Sequence, residues 1–159
     1  MKHSELVTLR FRKAVRDDVS FIVQLLANDK LGAKREDYHN PLPEVYYTAF
    51  DKIDADANQQ LIVVENDAAE IIGTLQLSFL QYLTYRGGIR VQIEAVRVRE
   101  DMRGAGIGQQ IFEWAIEHAR KAGAHMVQLT TDKERPEAIQ FYQKLGFKPS
   151  HEGMKLHLV

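Results

Sequence analysis

The sequence predicts an α/β protein in which a mixed, mostly antiparallel sheet is flanked by helices in the order β-α-α-β-β-β-α-β-α-β. Three observations predict it. Short apolar runs, "QLIVVEND" and "EIIGTLQLSFLQYL", follow each other across a tight turn and read as a hairpin. Longer segments repeat their apolar residues at helical spacing. One of these lies between the strand-like runs "IRVQIEAVRV" and "HMVQLTT", which supplies the crossover that a parallel pair needs.

Taken in order, "VTLRFRKA" alternates Leu9 and Phe11 with Arg10 and Arg12, the period of a strand with one covered face. In "RDDVSFIVQLLAND", Asp17 or Asp18 is placed to cap a helix whose stripe is Val19, Ile22, Val23, Leu25 and Leu26. The segment "KLGAKREDYHNPLP" carries Gly32, Asn40, Pro41 and Pro43 and predicts a loop, followed by a helix over about 44–53. After the hairpin, Gly87 and Gly88 break the chain before "IRVQIEAVRV". The next helix uses Ile107, Ile111, Ala115, His118 or Ala119, and Ala122 as its inner stripe, with Gly123 just past its end. "HMVQLTT" is a fifth strand. "RPEAIQFYQKLG" is a short helix with Pro136 near its start and Gly146 beyond its end, and "MKLHLV" predicts a closing strand. The length of 159 residues suits one domain over 1–159, with no repeat or linker.

Composition narrows the function classes. With 21 basic and 22 acidic residues the net charge is −1, so nothing in bulk charge attracts nucleic acid or an anionic membrane. The absence of cysteine excludes disulfides, thiolate metal sites and a cysteine nucleophile, and suits a reducing, cytoplasmic setting. The six histidines are scattered without ligand spacing, so no metal is expected. "MKHSELVTLRFRK" has no apolar core of a leader peptide, and no run reaches the roughly 20 apolar residues of a membrane span. Ser20 and Ser78 have no nucleophile-elbow context.

In "IRVQIEAVRV" the apolar residues Ile89, Val91 and Ile93 stand at odd positions, whereas Val96 and Val98 stand at even ones. Such a change of phase fits either a β-bulge or a strand end buried on both faces, and Glu94 sits at the slip. Directly after it, "RGAGIG" places Gly104, Gly106 and Gly108 at the start of a helix. Glycine there lets a ligand approach the backbone, and the helix start offers unpaired N–H groups and a positive dipole end, the outline of a phosphate site. The spacing matches neither a P-loop nor the dinucleotide fingerprint.

The run Arg103-Gly104-Ala105-Gly106-Ile107-Gly108 resembles the acyl-CoA-binding R/Q-x-x-G-x-G/A motif of the GNAT family of N-acetyltransferases. "AIQFYQKLGF" resembles that family's second segment, A-x-x-F-Y-x-x-x-G-F. The resemblance implies a GNAT-like fold and a transfer of acetyl from acetyl-CoA to a primary amine, small-molecule or peptide, by direct attack through a tetrahedral intermediate. It implies that the pyrophosphate of coenzyme A lies on Arg103, Gly104, Ala105, Gly106, Ile107 and Gly108. The pantetheine arm would lie along the backbone of Val96, Arg97 and Val98 as an added strand. Glu94 matches the family position that often supplies the base through water, against the alternative of an ion pair with Arg90 or Arg97. The oxyanion would meet the Val96 N–H. Tyr142 matches the tyrosine that donates to the leaving thiolate, against the alternative of a core aromatic. Arg135 stands where many members have asparagine, so that residue's role does not carry over.

By the same analogy the acceptor site forms from "KREDYHNPLPEVYY" and "FLQYLTYRGGIR". Glu36, Asp37 and Glu44 suit a cationic amine and Arg86 and Arg90 an amine bearing a carboxylate; the sequence leaves the choice open. A homodimer through an edge strand near the C-terminus is in keeping with the family. The competing class is a non-catalytic acyl-CoA-binding regulatory module linked to transcription.

Overall fold

The computed structural model describes residues 7–159. His3 and the first residues of the segment read as free of a leader lie outside the described residues. The elements are β1 (Arg10–Lys13), α1 (Val19–Ala27), α2 (Gly32–Arg35), α3 (Glu44–Ala55), β2 (Gln59–Glu65), β3 (Ile71–Gln81), α4 (Thr84–Gly87), β4 (Ile89–Val98), α5 (Ile107–Lys121), β5 (Met126–Gln128) and α6 (Pro136–Lys144). The strands form one sheet in the order β1-β2-β3-β4-β5. All neighbours are antiparallel except β4 and β5, which α5 joins as a parallel pair.

Each face of the sheet carries its own core. Ile62, Val64, Ile72, Leu75, Leu77, Val91 and Ile93 point to one face, where α5 lays down Ile107, Ile111, Phe112, Ala115 and Ala119. The stripe on α5 thus includes Phe112 and Ala119, and it leaves His118 at its margin. There the His118 ring stacks on Trp114 at 4.7 Å between ring centres, and Trp114 stacks on Phe11 at 4.3 Å. On the other face α1 and α3 cover Val63 with Val19, Ile22, Val23 and Phe50. Among the described residues no helix is long and apolar enough to cross a membrane.

Three expectations are corrected. Asp18 does not cap α1; its carboxylate accepts the Val15 N–H at 2.8 Å and the Arg12 guanidinium at 2.7 Å. It closes the single turn of 3-10 helix before α1 and draws β1 to it. The fifth strand is shorter than its pattern, stopping at Gln128. The closing strand over "MKLHLV" is absent: Met154, Leu156 and Leu158 are 94%, 85% and 88% exposed. Alternation is a strand's pattern but not its cause; a strand forms only against an edge with matching length, and here no neighbour receives it.

Candidate functional site

Across β3 and β4, Gln76 faces Glu94 and Thr74 faces Arg97, so Leu75 alone stands opposite Ala95 and Val96. Ala95 is left-handed, with φ 54°. The change of apolar phase is therefore a β-bulge, with the extra residue at Ala95. On its other side β4 pairs with β5 only through Arg90, Val91 and Gln92. From Ile93 to Val98 the strand pairs on the β3 side alone, which leaves a row of backbone groups without a ladder partner on the other side. Two carbonyls of this stretch meet arginines: Val96 accepts Arg97 Nη1 at 2.8 Å, and Val98 accepts Arg103 Nε at 3.1 Å.

The glycine loop follows this edge and is tied to it through Arg103 and the Val98 carbonyl. Gly104 and Gly106 have φ of 80° and 76°, the left-handed region in which an L side chain is strained. Gly106 is the residue before α5; no side chain caps the helix and no acidic residue lies in its first turn. Its leading N–H groups thus keep their hydrogen-bonding capacity, and the positive end of the helix dipole has no opposing charge on the helix itself. A Cβ at Gly104 or Gly106 would meet nothing within 4 Å, and one at Gly108 only Phe141 Cζ at 3.9 Å. The space above the helix start is open, and side chains would fill it. Arg103 is exposed, and its Nη2 also donates to the Asn28 carbonyl at 3.2 Å, tying the loop to α1. Bare amides, a helix N-terminus and an arginine form a donor set for a multiply charged anion such as a pyrophosphate.

Tyr142 on α6 packs edge-on against Phe112 at 5.3 Å and Phe147 at 6.0 Å between ring centres. The helix end holds it in place, since the Phe147 N–H donates to the Tyr142 carbonyl at 3.0 Å around Gly146. Burial raises the Tyr142 pKa above that of a free phenol, with Arg135 and Arg97 pulling the other way. The hydroxyl is therefore protonated at neutral pH and makes no hydrogen bond among the described residues.

Glu94 is exposed and accepts Gln92 Nε2 at 3.1 Å. The alternative for Glu94, an ion pair with Arg90 or Arg97, does not form. Arg97 lies with Nε 2.9 Å from Asp29 Oδ2, close but misaligned for a hydrogen bond, and Arg90 donates to Gln128 Oε1 at 3.1 Å. Burial lowers the Arg97 pKa, partly offset by Asp29. Asp29, Gln92 and Gln128 had no role in the sequence reading. The one available signal was the polar set Arg90, Gln92 and Glu94 at the positions of β4 that alternate with Val91 and Ile93.

The residues expected near an acceptor are only partly assembled. Tyr82 lies under Arg90, with the guanidinium carbon 4.9 Å from the ring centre. Tyr85 stacks on His125 at 4.7 Å. The Tyr46 hydroxyl donates to Glu36 at 3.2 Å and accepts the Asp37 N–H at 2.8 Å. Tyr38 is exposed.

Comparison with known proteins gives this geometry a family. The Acetyltransferase (GNAT) family matches residues 26–147. The aminoalkylphosphonate N-acetyltransferase of Salmonella typhimurium is 38% identical over 82 residues, 52% of this chain and 53% of that protein. The L-methionine sulfoximine/L-methionine sulfone acetyltransferase of Pseudomonas paraeruginosa is 32% identical over 102 residues, 61% of this chain and 56% of that one. The chain thus spans about half the length of these curated relatives. Among solved structures, a transcriptional regulator from Bacillus halodurans C-125 superposes with a TM-score of 0.90 at 50% identity, covering 95% of this chain and all of that one. With its family pattern covering most of the sequence, the chain belongs to the GNAT family of acetyltransferases.

Proposed function

We propose that this chain transfers the acetyl group of acetyl-CoA to the primary amine of a small acceptor. The observation that carries the reading is the edge of β4 left unpaired by β5 after Gln92, together with the Ala95 bulge and the uncapped start of α5. In this reading, the Arg103–Gly108 loop holds the pyrophosphate and the free edge at Val96, Arg97 and Val98 holds the amide-bearing arm. Acetyl-CoA supplies an activated thioester carbonyl.

The chain's own groups then have distinct tasks. Glu94, solvent-facing at the bulge, takes a proton from the incoming ammonium, directly or through water. A backbone N–H released from the ladder at Ala95 or Val96 faces the carbonyl oxygen and stabilises charge that develops there. Tyr142 donates a hydrogen bond to the departing sulfur. Its raised pKa makes it a poor acid and a persistent donor, so it stabilises the thiolate more than it surrenders a proton. Apolar packing from Phe112 and Phe147 fixes the ring while leaving the hydroxyl unengaged.

Tyr142→Phe separates these roles. The expected result is a single-turnover rate lowered on the order of 10- to 100-fold, the scale of one lost charge-assisted hydrogen bond, with acetyl-CoA affinity nearly unchanged. Equal rates in the two proteins would remove Tyr142 from the chemistry.

The 50% identical Bacillus halodurans protein supports a second reading, an acyl-CoA-binding regulator without transfer activity. It requires acetyl-CoA binding without acetylation of any amine in a broad panel. We further propose a homodimer in the cytoplasm. The open edge of β5 and the exposed alternating residues Met154, Leu156 and Leu158 support the dimer, and the lack of cysteine suits that compartment.

A further inference from the structure

On the face of the sheet turned away from α5, four side chains are linked in series. Arg90 Nη1 donates to Gln128 Oε1 at 3.1 Å, Gln128 Nε2 to Gln92 Oε1 at 2.6 Å, and Gln92 Nε2 to Glu94 Oε1 at 3.1 Å. The series runs along β4 from its start to the bulge. Four residues of strand span about 13 Å. The guanidinium leans onto Gln128, which stands opposite Gln92, so its gap to the carboxylate is shorter than that span.

Arg90 has no counter-ion: among the described residues no carboxylate lies within ion-pair distance of it, and its Nε is buried without a hydrogen-bond partner. A half-buried guanidinium with donors unmet is unfavourable, and only the Tyr82 ring and the Gln128 amide compensate it. Each acidic residue of the segments expected to frame the acceptor has a basic side chain beside it. Glu36 accepts Arg35 Nε at 2.9 Å, Asp37 lies 3.6 Å from His39, and Glu44 lies 3.4 Å from Arg16. These acidic residues thus have basic neighbours, whereas Arg90 has no carboxylate beside it, which favours an anionic acceptor.

We infer that Arg90 anchors an anionic group on the acceptor, so that the substrate class is a small amine carrying a carboxylate, phosphonate or phosphate a few carbon atoms from its nitrogen. The anion pairs with Arg90 at one end of the series and the amine reaches Glu94 at the other. Gln92 and Gln128 hold the guanidinium turned toward the bulge. The assignment rests on the acetyltransferase reading for the amine end, whereas the anion end stands on the arginine alone.

Two measurements separate these ends. Propylphosphonate and butyrate carry the anion without the amine; their binding to wild type, Arg90→Met and Arg90→Lys is measured by calorimetry with and without CoA. Wild type should bind at least one of them, Arg90→Met more weakly by on the order of 10- to 100-fold, the loss of one charge-assisted hydrogen-bonded pair, and Arg90→Lys in between. The two probes also tell carboxylate from phosphonate. Acetyl transfer is then compared for 3-aminopropylphosphonate, 4-aminobutyrate and butylamine. Wild type should favour an anionic amine over butylamine in kcat/KM, and Arg90→Met should bring that ratio toward one. No binding of either probe to wild type, or equal binding by correctly folded Arg90→Met, overturns the anion site. Transfer to butylamine as efficient as to the anionic amines overturns it too, yet leaves the acetyltransferase reading intact. Anion binding that depends on Arg90, without transfer to any amine, upholds the anion site and overturns that reading.

Discussion

Gln128, the last residue of β5, lies opposite Gln92 of β4, and its side-chain amide donates to Gln92 Oε1 at 2.6 Å. The contact closes the sheet at the point where the two strands part. Gln92 passes the link on to Glu94, so the carboxylate at the bulge is oriented from the only part of β4 that β5 still holds.

Gln92→Ala should therefore disturb the site more than the fold. Both partners are half-buried, and losing such hydrogen bonds costs about 1 kcal/mol. Paired melting and steady-state measurements should show a fall in melting temperature of about 2–4 °C. The kcat/KM for the amine should fall several-fold, with little change in the KM for acetyl-CoA.

The three glycines of the loop should respond differently to alanine. At Gly104 and Gly106 the backbone is left-handed, so each substitution should cost about 1–2 kcal/mol of stability although the new Cβ meets nothing. Gly108 is helical and its Cβ has only an ordinary contact with Phe141, so Gly108→Ala should keep or slightly raise stability, by up to about 0.5 kcal/mol. It should nevertheless weaken acetyl-CoA, because the methyl group enters the space over the helix start. Chemical denaturation beside calorimetric titration checks both halves.

Acid should unfold the protein through three bound carboxylates. Glu65, 3% exposed, is held below the usual carboxylate range chiefly by hydrogen bonding to Arg12, and also to Arg10. For Asp18 and Asp29 burial alone would raise the pKa. Arg12 and the Val15 N–H reverse this for Asp18, and the Gly32 N–H and Arg97 do so for Asp29. Each folded pKa lies below its unfolded value, so their stabilisation is complete above about pH 4–5 and is lost as the pH falls through the folded values. Glu65→Gln should flatten that loss and lower stability at neutral pH by about 3 kcal/mol, since Arg10 then loses its carboxylate partner and Arg12 keeps only Asp18. Denaturant titrations from neutral pH down to about pH 3 test the slope.

Asp29 ties the end of α1 to the site. Its carboxylate accepts the Leu31 N–H at 2.9 Å and the Gly32 N–H at 2.5 Å, and it is the counter-ion nearest Arg97. Asp29→Ala should cost about 3 kcal/mol, and Asp29→Asn less, because asparagine keeps an acceptor for the two N–H groups. Both should impair catalysis, as Arg97, whose charge acts on Tyr142, loses its nearest counter-ion.

The C-terminal residues test the assembly. Removing residues 153–159 takes away exposed Met154, Leu156 and Leu158 and none of the two cores. Sedimentation should show the full chain as a dimer and the truncated chain near the mass of one subunit, with the same far-ultraviolet dichroism per residue of sheet and helix.

Local rules made much of this legible. The hairpin of β2 and β3, the bulge at the phase slip, the glycine start of α5 and the aromatic pair on α6 all write their geometry in neighbouring residues. What sequence could not show was pairing at a distance. Asp29 meets Arg97 and Gln128 meets Gln92 only once the sheet has formed. Asp18 has the chemistry of a helix cap, but Arg12 and the Val15 N–H offer its carboxylate better partners than the helix does. "MKLHLV" has the alternation of a strand, and its ladder partner is something that no local pattern specifies.

In the proposed reaction the unpaired edge of β4 and the start of α5 together hold acetyl-CoA. Amide hydrogen exchange with and without acetyl-CoA reads this binding mode residue by residue. Saturating acetyl-CoA should slow exchange in residues 93–98 and 104–109, and leave β1 and the β2–β3 hairpin nearly unchanged. Binding that leaves both segments unprotected, or no binding at all, would rule out this site for acetyl-CoA.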